Sequence, residues 1–393
     1  MTNTMIPSTF ASPKIEDWDY KEPIFAGPGP CNFSSAVVEA LKKPCMSPLC
    51  DEFVNILDDI RTGLQYLFQT RSKLVLAISG AGHAGMEALI CNLVAPGETL
   101  VMAVRGEWDQ RTVGMAKRHR VNVVEHRIPY TDVFTFEELE EVLKKHRPRA
   151  LYLTHGDSST GTIQNLDGLG DICHKYGTLL LIDAIVSAGG SPLLMDAWGV
   201  DGVVTATQKS LSGPAGTAPV AFSERAEEVI NQRKHEPPFY LDVKILAQQW
   251  NCYGNTRGYH HTMNPVSLWT LRASLKDICE QTLPKIWERL IKVKEHFHKR
   301  LPELGFGFLI PNPEDRFINV TTVVLPNGID PDAFVRYMLK KHNIFIFPGR
   351  GPTLGKCVRV GNMGVHSNIE MADAILAAMV DTKIALSTNK TGN

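Results

Sequence analysis

The chain has 393 residues, with 41 Lys and Arg against 42 Asp and Glu and a formal net charge of -1. That balance, without a block of like charge, argues against a surface that tracks nucleic-acid phosphates and favours small neutral or amphoteric partners. The length suggests two domains, or one large domain with an appendage. No window approaches the uninterrupted apolar run that a membrane span requires.

The first twenty-one residues, 1–21, lack the apolar core of a secretory signal and read as an arm. Apolar strand-like runs then alternate with helical patterns: "KLVLAIS" before "GMEALICNLV", "TLVMAV" before "QRTVGMAKRH", then "VNVVEHRI", "ALYLTH", "TLLLIDAI" and "GVVTATQ". Short all-apolar strands separated by amphipathic helices predict a mostly parallel sheet covered on both faces. From about Thr282 the texture changes to a long charged helix, "LPKIWERLIKVKEHFHKRLPELG", followed by separated strands and helices. The expected organisation is an α/β domain over 22–281 and a smaller α+β domain over 282–393. The C-terminal "STNKTGN" is not an S-K-L type peroxisomal address. The eight cysteines are scattered, with no C-x-x-C and no zinc-like spacing, and read as reduced thiols in an intracellular protein.

Two glycine-rich stretches invite a phosphate reading. "GRGPTLGKC" misses the P-loop pattern twice, at Arg350 and at Cys357. "GAGHAG", from Gly80 to Gly85, spells G-x-G-x-x-G between a predicted strand and a predicted helix. A dinucleotide fold, however, wants an acid ending the next strand, and "TLVMAV" ends without one. A nicotinamide dehydrogenase therefore rests on this loop alone.

The remaining candidates sit where strands end. Lys209 follows the predicted strand Gly202 to Thr207, and Asp183 ends "TLLLID". In open α/β folds, ligands bind at that carboxyl edge. One amine and one carboxylate there suggest a lysine Schiff base with pyridoxal phosphate, and an acid that keeps the pyridine nitrogen protonated. Trp108, just after "TLVMAV", can stack on a flat cofactor ring. Ser158, in "THGDSSTG", offers a hydroxyl to the ring oxygen. Arg359 interrupts an apolar C-terminal strand, where a guanidinium suits a substrate carboxylate. His260 and His261 lack a third ligand at metal spacing, so no metal site is expected.

As an ordered set, these motifs resemble the class V, fold-type I pyridoxal-phosphate aminotransferases, and within them the alanine-glyoxylate (serine-pyruvate) group. The resemblance runs from "FAGPGPCNFS" to "GKCVRVGNMG". It implies a homodimer in which Lys209 forms the Schiff base, Asp183 meets the pyridine nitrogen, Trp108 stacks and Ser158 bonds the ring hydroxyl. It further implies that Ala81, Gly82, His83 and Gln208 hold the phosphate, with Tyr259 and Thr262 reaching in from the neighbouring subunit. Arg359, Ser158, Gly29 and Ser47 would contact substrate; Pro48 departs from the Ser-His or Ser-Asn that relatives carry after the serine. The implied reaction moves the amino group of alanine or serine to glyoxylate. The 3-hydroxykynurenine transaminases share these residues, and relatives with the first activity are peroxisomal or cytosolic. Cysteine desulfurases share the fold but place a His where Trp108 stands.

Overall fold

The computed structural model describes residues 11–388, so the start of the expected arm and the last five residues of the C-terminal stretch lie outside it. Seven strands make the larger sheet: β1 (Val75–Ser79), β2 (Thr99–Val104), β3 (Asn122–Arg127), β4 (Ala150–Thr154), β5 (Leu179–Asp183), β6 (Gly202–Val204) and β7 (Thr217–Phe222). Their spatial order is β1-β7-β6-β5-β4-β2-β3. All neighbours pair in parallel except β7, which runs antiparallel to both β1 and β6. The carboxyl ends of β1, β2, β4, β5 and β6 therefore share one edge.

The alternation of strands and helices predicts this sheet, but β7 departs from the expectation. Its sequence, "TAPVAF", is not among the strand-like runs that the alternation picks out. Pro219 nevertheless sits opposite Ala77 within the strand, and its carbonyl accepts the Thr205 N–H at 2.9 Å. The strand before Lys209 is also shorter than predicted, ending at Val204 rather than Thr207.

Helix α1 (Asp51–Phe68) buries Phe53, Ile56, Leu57, Ile60, Leu64 and Leu67, the i, i+3, i+4 stripe of a helix lying on a core. It packs on α4 (Pro265–Gln281), and Gly63 permits the approach: a Cβ there would stand 2.9 Å from that of Leu275. Helix α2 (Gly82–Leu93) crosses the sheet more tightly still. A Cβ on Gly85 would meet Val204 Cγ2 at 2.5 Å, and one on Gly82 would meet Ile185 Cδ1 at 2.8 Å. Helix α3 (Glu107–Arg118) follows β2.

A second sheet of four antiparallel strands has the order β8-β9-β11-β10, from β8 (Gly307–Phe308), β9 (Val320–Val324), β10 (Phe347–Pro348) and β11 (Val358–Gly361). It shares its own core with α5 (Leu283–Glu303), α6 (Pro331–His342) and α7 (Ile369–Thr388), through Val293, Phe297, Phe334, Met338, Val358 and Leu376. Thr282, at φ 66, makes the break between α4 and α5. The amino-terminal half of α5 packs in the larger core through Leu283, Ile286 and Leu290. One stretch expected with the larger unit lies elsewhere: Ile24–Phe25 pairs in parallel with Ile344–Phe345, and Ala26 joins the smaller core.

Candidate active site

At the carboxyl edge of the larger sheet, one cavity is lined by Ala81, Gly82, His83, Met86, Trp108, Thr154, Gly156, Ser158, Asp183, Ile185, Val186, Gln208 and Lys209. Eight residues singled out by sequence (Lys209, Asp183, Trp108, Ser158, Ala81, Gly82, His83 and Gln208) thus meet in one place. They arrive from five strand ends, those of β1, β2, β4, β5 and β6, which is why no single stretch of sequence contains the site.

The Lys209 Nζ donates to the Pro28 carbonyl at 2.8 Å. Burial pulls its pKa down to about 8, with Cys31 and Asp183 opposing the fall and Arg359 adding to it. The amine therefore holds a sizeable neutral, nucleophilic fraction near neutral pH. Gly29 shapes this position. It has φ +93, and a Cβ there would lie 2.4 Å from Lys209 Cδ and 2.7 Å from Nζ, so any larger residue displaces the lysine.

Asp183 ends β5, buried, and its Oδ1 accepts the Ile185 N–H at 2.9 Å. Burial pushes its pKa up to about 7; the Ile185 N–H opposes this, while Asp109 and Asp157 reinforce it. A cationic group delivered into the cavity would return it to the ionised form.

Trp108 occupies the first turn of α3, and its indole N–H donates to Ser158 Oγ at 3.0 Å. The Ser158 hydroxyl hydrogen is left free to donate elsewhere. The loop that carries Ser158 is tied down from both sides. Asp157 Oδ1 accepts the Ser159 N–H at 2.6 Å and the Ser159 hydroxyl at 2.7 Å, and Ser159 Oγ in turn accepts the Glu107 N–H at 3.1 Å. Gly106 makes room for this contact, since a Cβ there would overlap Asp157 Oδ2 at 1.7 Å. Asp157 and Ser159 escape a reading of sequence; the one available signal is an acid directly before Ser158 at a strand end.

At the opening of α2, Ala81 is the N-cap and has no side-chain cap. The first N–H groups of a helix without a capping side chain form an anion site. Gln208 lines the same cavity; its Oε1, an acceptor, has no hydrogen-bond partner among the described residues, and only its Nε2 amide hydrogens can donate to an anion. His83 meets Trp108 edge-on at 6.2 Å, and burial, with Arg111, lowers its pKa. An anion cradle, an amine, a buried acid and an indole in one cavity fit pyridoxal phosphate: a phosphate, an aldehyde, a basic ring nitrogen and a flat ring.

Arg359 does not line this cavity but is bonded to the loop that carries Ser158. Its NH1 donates to the Ser158 carbonyl at 2.9 Å and its Nε to the Pro348 carbonyl at 2.9 Å. Burial pulls its pKa down to about 10, and among the described residues no carboxylate pairs with it. Three expected residues lie outside the cavity of their own chain. Tyr259, 61% exposed, and Thr262 share a hydrogen bond between their hydroxyls. Ser47 is exposed, and its Oγ accepts the Leu49 N–H at 3.2 Å. The neighbouring histidines have local partners: His260 stacks on Phe239 at 4.6 Å, and His261 Nε2 bonds Ser79 Oγ at 2.8 Å.

The family model for class V aminotransferases matches residues 39–374. The chain is 40% identical to the alanine–glyoxylate aminotransferase of Felis catus, over 93% of this chain and 89% of that one. It is 36% identical to that of Drosophila melanogaster, over 92% of this chain and 94% of the relative. The crystal structure of alanine–glyoxylate aminotransferase from Nostoc sp. superposes with a TM-score of 0.91 at 36% identity, covering 94% of this chain and 97% of the other. Among the described residues, no helix is long and apolar enough to cross a membrane. The chain belongs to the class V aminotransferases, pyridoxal-phosphate enzymes of fold type I, and stands near their alanine–glyoxylate members.

Proposed function

We propose that this chain transfers the amino group of L-alanine, or serine, to glyoxylate, giving pyruvate and glycine from the first donor. The observation that carries this reading is the meeting of Lys209, Asp183, Trp108, Ser158 and the uncapped start of α2 in one cavity. Relatives that bear the activity's name, at 36–40% identity across most of the chain, support the substrate assignment.

Pyridoxal phosphate, when bound, supplies a carbonyl for amine exchange and a cationic ring that stabilises negative charge at the substrate α-carbon. The chain supplies the rest. Lys209 Nζ, with its lowered pKa, would be the amine that holds the carbonyl carbon, and its neutral form could take up a proton at the substrate α-carbon and return it. Asp183 would hold a proton on the ring nitrogen, since its buried carboxylate gains from a cation beside it. The N–H groups of Gly82 and His83 and the Nε2 amide of Gln208 would donate to the phosphate, and Ala81 caps that turn with no side chain to compete for it. Trp108 covers the ring, and the free Ser158 hydrogen is offered to the ring oxygen. Arg359 takes the substrate α-carboxylate, the anion its buried guanidinium lacks.

The working enzyme in this reading is a homodimer. Tyr259 and Thr262 of one subunit complete the phosphate site of the other, and Ser47 and Gly29 border the substrate. The larger unit holds cofactor and the smaller, from about residue 282, holds the carboxylate clamp. The activity suits a peroxisomal or a cytosolic enzyme, and imaging the tagged full chain in cells distinguishes these.

The test is turnover by the purified protein, comparing alanine plus glyoxylate with 3-hydroxykynurenine plus glyoxylate or pyruvate. Faster transfer from alanine is expected. A much higher rate with 3-hydroxykynurenine would replace the donor while leaving the roles of the residues in place.

A further inference from the structure

The loop that fails as a P-loop carries a charge the proposed reaction does not use. Arg350 lies between β10 and β11, and its side chain is exposed. Its guanidinium carbon is 5.1 Å from the centroid of the Trp108 ring. Its backbone N–H donates to Thr353 Oγ1, but among the described residues no acid pairs with its side chain. Glu107, which borders the adjacent Gly351, is engaged by Arg111 at 3.1 Å.

This position is fixed from three directions. Gly349 passes so close to Thr353 that a Cβ would lie 1.9 Å from its carbonyl oxygen. Gly351, at φ +58, abuts Glu107, with 2.9 Å from a would-be Cβ to both Glu107 Cβ and Oε2. The Thr353 hydroxyl donates to the Ser159 carbonyl at 2.9 Å, on the same loop whose Ser158 carbonyl accepts from Arg359. Arg350 and Arg359 are also close enough for one charge to depress the other's pKa. Among the described residues neither guanidinium lies within ion-pair distance of a carboxylate, and Asp157 acts on Arg359 only from further off, so an anion beside both would relieve their repulsion.

We propose that Arg350 binds a second carboxylate, so that the site accepts four- or five-carbon dicarboxylic amino acids as donors. This rests on the aminotransferase reading and on Arg359 holding the α-carboxylate. With L-aspartate, the amine nitrogen moves to the carbon of glyoxylate and the carbonyl oxygen is exchanged through water, giving oxaloacetate and glycine with no net oxidation.

The experiment measures glycine formation by the holoenzyme from glyoxylate with L-aspartate, L-glutamate or L-alanine, for wild type, Arg350→Leu and Arg350→Lys. Turnover of a dicarboxylic donor is expected, and Arg350→Leu should lower its kcat/KM by about ten- to a hundredfold, mainly through KM. The fall with alanine should be smaller, and Arg350→Lys should restore part of the dicarboxylate rate. Succinate, which has no amine to transfer, should raise the melting temperature of wild type and not of Arg350→Leu. Alanine turnover without either dicarboxylic donor, or an equal fall with all donors, overturns the inference. So does an equal response of both proteins to succinate. Failure with every donor overturns the aminotransferase reading itself, and this proposal with it.

Discussion

Two glycine-rich loops resemble phosphate cradles in sequence, and only one has the surroundings of a cradle. In Gly80–Gly85, the glycines are demanded by packing: α2 lies so close to β6 and β7 that a Cβ on Gly85 would stand only 2.5 Å from Val204 Cγ2. The consequence is a helix start without a side-chain cap, opening on a cavity that contains Lys209 and Asp183. In the loop around 349–355, the glycines are demanded by a tight turn against Glu107 and Thr353, and what the turn delivers is a side chain, Arg350. A glycine pattern records close approach of backbone. What lies beside the approach decides its use.

The comparison can be broken most strongly at Gly85. Gly85→Val adds a Cβ that would fall 2.5 Å from Val204 Cγ2, with two methyls beyond it, and overpacking of this kind costs about 1–3 kcal/mol. The expected outcome is a lower denaturant midpoint together with loss of retained cofactor on gel filtration, since the start of α2 must move. Unchanged cofactor retention would show that the helix start is not the phosphate site. Gly351→Ala should act more mildly, costing about 1–2 kcal/mol for an alanine in the left-handed region. Cofactor content should be preserved, while any preference for dicarboxylic donors falls as Arg350 is shifted from Trp108. If both substitutions deplete cofactor equally, the two loops do not differ as described.

Much of this architecture is legible in sequence because parallel strands buried on both faces leave all-apolar runs, as in "LLLID" and "ALYLT". Strand β7 is hidden by Pro219, whose local preference is overruled by partners on both sides. Residues 24–26 are hidden because their pairing partner lies some three hundred positions away, at Ile344–Phe345. At the site, Lys209, Asp183 and Trp108 are legible as polar or aromatic residues directly after strands. The supports are less so: Asp157, Ser159 and Gly106 act through mutual contacts that exist only once the edge is assembled. Tyr259, Thr262 and Ser47 do not line their own chain's cavity, and no sequence pattern within one chain settles what they face.

The central claim is that Lys209 carries the cofactor, and it can be read directly by borohydride reduction of the holoenzyme followed by peptide mass mapping. One pyridoxyl-phosphate adduct per chain is expected, on Lys209. In the apo-protein mixed with pyridoxal phosphate, early labelling should increase from about pH 7 to about pH 9, because the neutral amine fraction grows as pH passes its pKa of about 8. Lys209→Ala should lose both the adduct and about a thousandfold or more of the transfer rate. An adduct on another lysine, or undiminished transfer by Lys209→Ala, would contradict the account.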